Sequence, residues 1–177
     1  YGSPLHLREL TDAPLIDRIR HCRDLAKLIL ELQFSAAGSV AYTDFHFRHF
    51  KMADGRIKVI DMDDWVTPVE PRCGPRSDLT IEDLRQYRVQ NKYNVTCKFG
   101  VQCVDGQCLG NNVMENVYNF VDKFFAALLK KDSFAETFYE RHKDFLDDML
   151  NYRLAPTDMY NGFELLVQET RNDGPSS

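Results

Sequence analysis

Apolar residues recur along this chain at two spacings, and the change from one to the other divides it into parts. Leu15, Ile19, Cys22, Leu25 or Ala26, Ile29 and Leu32 follow the period of a helix with one buried face. The arginines at 18, 20 and 23 and Lys27 are assigned to its wet side, Thr11 to its N-cap and Pro14 to its first turn. Residues 1–10, with Pro4 to discourage helix, are expected to be short and extended. Residues 34–39 interrupt the pattern, and Val40-Ala41-Tyr42 is a short apolar run. Residues 50–52 and 57–60 are β-prone runs on either side of Ala53-Asp54-Gly55-Arg56, whose Asp-Gly pair favours a tight hairpin turn.

Past Trp65, the residues Pro68, Pro71, Gly74 and Pro75 punctuate a loop that is expected to end in a short helix over 79–87. The helical period returns with Val117, Phe120 or Val121, Phe124 and Leu128. Tyr118 and Phe125 beside them make this segment apolar on most of its circumference, so it belongs in the core. Ser133-x-x-Glu136 has the form of a capping box opening a helix with the stripe Phe134, Phe138, Phe145 and Met149. Pro156 is taken to end that region and Thr157 to cap a final helix through Tyr160, Phe163 and Val167, with residues 172–177 frayed. The predicted architecture is a single domain over 1–177, mainly α with a small β-hairpin. Its parts are a scaffold helix in 1–41, the hairpin in 42–65, a Cys-rich loop in 66–112 and a helical remainder in 113–171.

Composition sharpens this picture. The chain has 177 residues, 44% of them hydrophobic and 12% aromatic, enough for one packed core. A net charge of −5 gives no electrostatic reason to expect a nucleic-acid partner. No apolar run approaches the roughly 18 residues of a membrane span, and no signal peptide is visible. The start at Tyr1 without an initiating Met is read as that of a piece of a longer protein, whose secretory leader would lie ahead of it.

Carboxylates sit at both ends of the hairpin. Pairing its strands brings Asp44, before the first, towards Asp61, at the exit of the second, with Asp63 and Asp64 next in line. Acids so gathered repel one another unless water or a cation holds them, and a hard ion such as Mg²⁺ or Mn²⁺ suits oxygen donors. A solvated acidic turn is the plain alternative. The order of residues also resembles the catalytic loop and metal-binding Asp of protein kinases. By that analogy Asp44 stands at the catalytic base, His46 at the phosphate-contacting lysine, His49 at the metal-binding Asn, and Asp61 at the Asp of Asp-Phe-Gly. Tyr42-Thr43 replaces His-Arg, and Met62-Asp63 replaces Phe-Gly. Losing that Arg removes the usual partner of a phosphorylated activation loop.

The run GSV-x-x-x-DF-x-x-R-x-F (residues 38–50) followed by DG-x-x-KV-x-D-x-DD (residues 54–64) resembles the vertebrate lonesome kinase family of secreted tyrosine kinases. The likeness extends from Gly2-Ser3-Pro4, through Asp17-Arg18 and Cys22, to Asn119 and Phe124-Phe125. It implies the large, C-terminal lobe of a protein kinase with the N-lobe absent from this chain, in which no glycine-rich phosphate loop or strand lysine is found. It further implies ATP with Mg²⁺ or Mn²⁺ as cofactors, transfer of the γ-phosphate to tyrosines of secreted or extracellular-matrix proteins, and a place in the Golgi lumen or outside the cell. In that scheme Asp44 and His46 are catalytic, His49 and Asp61 hold nucleotide and metal, and Asp63 is a reserve ligand. A non-catalytic, pseudokinase-like secreted binding module is a second reading. A third is a metal-dependent hydrolase using Asp44-x-His46-x-x-His49 with Asp61.

Cys73, Cys97, Cys103 and Cys108, in loops around Gly100, Gly106 and Gly110, point to two disulfides and an oxidising compartment. Their spacings fit zinc knuckles poorly. Three pairings are open to them. Cys22, on the apolar face of the first helix, is expected to be a buried thiol. Asn94-Val95-Thr96 is an N-glycosylation sequon, weak by itself, that agrees with the cysteines.

Overall fold

The hairpin forms where the Asp-Gly pair places it. In this computed structural model, which describes residues 3–43, 45–60, 65–66, 69–80 and 94–172, strands β3 (Phe50–Ala53) and β4 (Arg56–Val59) pair antiparallel around Asp54-Gly55. Both turn residues adopt positive φ, 54° and 70°, as a two-residue hairpin of this twist requires. A short strand, β1 (Ser3–Pro4), adds to the other side of β3. The chain is mainly helical with small antiparallel sheets.

The amphipathic segment after Pro14 becomes α2 (Leu15–Gln33), and its face Ile19, Cys22, Leu25, Ala26, Ile29 and Leu32 is buried. Two expectations fail here. Residues 7–11 are not extended but form a helical turn, α1 (Leu7–Thr11), so Thr11 ends one helix and Pro14 stands at the N-cap of the next. Arg18 is not on the wet side. It is buried and donates from Nη1 to the carbonyl of Leu128 at 3.1 Å. That carbonyl lies at the C-terminal end of the central helix, where the macrodipole favours a cation.

The central helix comprises α3 (Asn111–Phe120), a π-helical stretch (Val121–Phe125) and a last α-helical turn, α4 (Ala126–Leu128). Its apolar circumference is buried as expected: Val117, Phe120, Val121, Phe124, Phe125 and Leu128 are all at 1% exposure or less. α5 (Glu136–Leu150) and α6 (Pro156–Asn172) complete the helical part, and α6 packs along α2. Ser133 is not the N-cap of the next helix: Lys131–Ser133 is a separate 3₁₀ turn and α5 has Ala135 at its N-cap. Pro156 is the first residue of α6, a position where its missing N–H costs nothing.

The cysteine-rich segment builds its own small cluster around Cys73, Val95 and Cys108. Two disulfides hold it, Cys73–Cys103 and Cys97–Cys108. These sulfurs are spent on each other, so the zinc alternative falls. Cys22 is a buried free thiol as expected, and burial pushes its pKa well above the ordinary value. The helix expected over 79–87 lies mostly outside the described residues.

Candidate functional site

Two ladders of main-chain pairing frame the acidic end of the hairpin. At the inner one, the N–H of Ile60 donates to the carbonyl of His49 at 2.8 Å, extending the β3–β4 pairing by one step. At the outer one, β2 (Ala41–Tyr42) pairs antiparallel with β5 (Trp65–Val66), with Tyr42 opposite Trp65. Residues 43–48 join the two ladders on one strand and 61–64 join them on the other. Asp44, Asp61, Asp63 and Asp64 themselves lie outside the described residues. The pairings fix the ends from which those carboxylates spring.

Three asparagines of the central helix hold the outer ladder in place. Asn112 donates from Nδ2 to the Ser39 carbonyl at 2.9 Å. Asn116, fully buried, donates to the Val40 carbonyl at 2.7 Å and accepts from the Tyr42 N–H at 2.8 Å. Asn119 donates to the Tyr42 carbonyl at 3.2 Å. Residues 112, 116 and 119 share one face of a helix, so α3 acts towards residues 39–42 as a neighbouring strand would. It satisfies main-chain groups that would otherwise be buried without partners. The N-terminus of α3 is capped in turn by Glu70, whose carboxylate accepts from the N–H groups of Gly110 and Asn112 at 3.2 and 3.1 Å. Asn112 and Asn116 were missed by sequence reasoning. The available signal was a polar residue recurring every three or four positions within an otherwise apolar helix.

Rings anchor the chain on both sides of position 44. Phe45 stacks edge-on against Tyr42, Phe120 and Phe124, with centroid distances of 5.6, 4.9 and 5.6 Å. Phe50 is fully buried against the same group, and Phe47 meets Phe124 at 5.1 Å. Edge-to-face pairs add to area burial and fix orientation. Residue 44 is thus preceded by an asparagine-held strand and followed by an aromatic side chain locked into the core.

His46 and His49 face one another edge-on at 5.5 Å. They differ in setting: His46 is exposed, whereas His49 is buried at 3% exposure. The Nε of Arg48 donates to Nε2 of His49 at 3.0 Å, so that nitrogen is an acceptor occupied by a cation. Ligation of a metal through Nε2 of His49 therefore requires Arg48 to leave.

The sequon Asn94 sits in β7 (Asn94–Val95), paired with β6 (Gly74–Pro75) beside the disulfides. No helix among the described residues is long and apolar enough to cross a membrane.

No protein-family model matches the chain, and no solved structure does. Over 128 residues it is 33% identical to the extracellular tyrosine-protein kinase PKDCC of Homo sapiens, a stretch covering 72% of this chain and 24% of that protein. The chain thus spans about a quarter of that relative's length.

Proposed function

This chain belongs, over the residues matched, to the vertebrate lonesome kinase family of PKDCC, and from that premise we propose that it forms the large lobe of a secretory-pathway protein tyrosine kinase. The reaction is transfer of the ATP γ-phosphate to a tyrosine hydroxyl of a secreted or extracellular-matrix protein. One observation carries this reading: the two ladders, Tyr42 opposite Trp65 and His49 opposite Ile60, tie together the chain ends that bear Asp44 and Asp61.

In this account Asp44 accepts the hydroxyl proton and orients the oxygen for in-line attack. Asp61 is the main metal ligand, Asp63 a further one, and His49 assists if Arg48 releases it. Mg²⁺ or Mn²⁺, when bound, supplies charge neutralisation at the phosphates. His46, exposed beside residue 44, contacts the transferred phosphate. The asparagine face and Phe45 keep the base in register, which matters because a displacement of about 1 Å can cost a hundredfold in rate. Both disulfides support a place in the secretory pathway, and the loops they brace stand where a kinase carries its substrate-binding segment. Half of a kinase's nucleotide pocket comes from a second lobe, so activity is tested in a protein that contains both lobes.

The occupied Nε2 of His49 favours a second reading, a non-catalytic binding module on the same architecture. Thermal denaturation of a protein containing both lobes, with ATP and with or without Mn²⁺, separates the two. A rise in Tm that needs both supports the kinase, and no shift supports the module. In the same protein Asp44→Ala is expected to lower phosphotransfer at least a hundredfold, whereas unchanged transfer removes Asp44 as base.

A further inference from the structure

Away from its acidic end, the hairpin carries an open edge. β4 is the outer strand of the order β1-β3-β4. The Ile60 N–H bonded to the His49 carbonyl, with Lys51 opposite Lys58 and Ala53 opposite Arg56, sets the phase of the ladder. Positions 56, 58 and 60 are the hydrogen-bonded ones, so the N–H and C=O of Ile57 and Val59 point away from β3. Among the described residues neither has a main-chain partner on that side.

Beside this edge runs a groove of about 480 Å³ between β4 and α2. Leu28 and Leu32 of the helix and Ile57 and Val59 of the strand supply its apolar lining, and Arg56 and Lys58 its exposed basic margin. The acids on the helix side already have cations, Asp24 from Arg23 at 2.7 Å and Glu31 from Lys27 at 3.6 Å. Arg56 has no ion partner among the described residues, and Lys58 has only the exposed Asp54 of the turn at 3.2 Å.

We propose that this groove binds an extended peptide segment of another protein, added to the sheet as a fourth strand along β4. Main-chain bonds to Ile57 and Val59 give affinity, apolar side chains at alternate positions pack on Leu28 and Leu32, and acidic ones lie opposite Arg56 and Lys58. A strand edge flanked by a helix is the geometry that such addition uses. A second copy of this chain is disfavoured as the occupant, since pairing two β4 edges sets Arg56 and Lys58 against their own kind. The site is independent of phosphotransfer and stands whether or not the lobe is catalytic.

The test uses the peptide Gly-Glu-Val-Glu-Ile-Glu-Val-Gly, with amide hydrogen exchange of the 177-residue chain as readout. Saturating peptide is expected to slow exchange at Ile57 and Val59 at least tenfold and to leave Lys51 and Lys58 unchanged. Arg56→Glu with Lys58→Glu is expected to abolish that protection and to transfer it to the counterpart peptide with Lys in place of Glu. Val59→Pro removes an outward N–H without touching the β3 ladder, and is expected to lose binding with the far-ultraviolet circular dichroism intact. Unchanged exchange at Ile57 and Val59 at millimolar peptide overturns the proposal. So does protection of both amides without peptide in a longer form of the protein, which gives the edge to a segment of the same chain.

Discussion

Asn116 does more for the candidate site than any other single described side chain. Its amide both donates to the Val40 carbonyl and accepts from the Tyr42 N–H, and it is wholly buried. Asn116→Ala orphans the Val40 carbonyl and the Tyr42 N–H together, at a cost of about 2 to 4 kcal/mol. Chemical denaturation of the chain measures this directly, and phosphotransfer by the two-lobe protein should fall more than Tm alone explains. Tyr152 offers a test in pH. Its hydroxyl donates to the Asp122 carboxylate, which, with some desolvation, pushes the phenol up from 10 to about 12. The folded protein thus holds this proton more tightly than the unfolded chain. The resulting stability is fully present below pH 10 and is lost as pH rises through 12. Phenolate absorbance should show Tyr152 ionising late, alongside Tyr160, which its hydrogen bond to Glu164 also pushes up, and Asp122→Asn should return the Tyr152 component alone towards 10. Arg18 shows the limit of reading at this scale. Arg18 precedes Cys22, Leu25 and Ile29 at i+4, i+7 and i+11, so it shares their buried face despite its charge. Its acceptor, the Leu128 carbonyl, lies 110 positions away, where no local pattern reaches.

At the scale of elements, the hairpin and the central helix were legible, because each rests on a signal contained within it. Asp54-Gly55 dictates its turn, and a helix apolar on nearly every side can only be buried. Helix starts were not legible. Thr11, Ser133 and Thr157 each have the right chemistry for a cap, yet α2, α5 and α6 begin at Pro14-Leu15, at Ala135-Glu136 and at Pro156. Tertiary packing and proline set those starts. The disulfides were foreseen from composition, but their pairing needed the fold of the loops. One contact between elements makes a sharp prediction. A Cβ placed on Gly162 of α6 would lie 2.0 Å from the Phe145 ring of α5, and that ring is itself held edge-on against Phe163 at 5.3 Å. Gly162→Ala gains about 1 kcal/mol in helix propensity and loses about 1 to 3 kcal/mol to overpacking. The net outcome expected is a lower Tm. A rise in Tm would mean that α5 and α6 separate easily.

At the scale of the whole molecule, the fold supplies a rigid base and two functional margins. The base is one continuous core of α2, the central helix, α5, α6 and the hairpin. One margin, at the acidic end of the hairpin, carries the proposed phosphotransfer site; the other, the β4 edge, carries the proposed peptide groove. The carboxylates themselves were legible as a cluster in sequence, whereas the asparagine face that holds residues 39–42 was not, since its four bonds join residues more than 70 positions apart. The central claim is that Asp61, brought back beside Asp44, holds the divalent ion that serves ATP. Its most direct test is transfer of radiolabelled γ-phosphate to a tyrosine peptide by the two-lobe protein in Mn²⁺, with Asp61→Asn beside wild type. The account predicts tyrosine labelling by wild type and at least a hundredfold less by Asp61→Asn at equal Tm; equal labelling by both contradicts it.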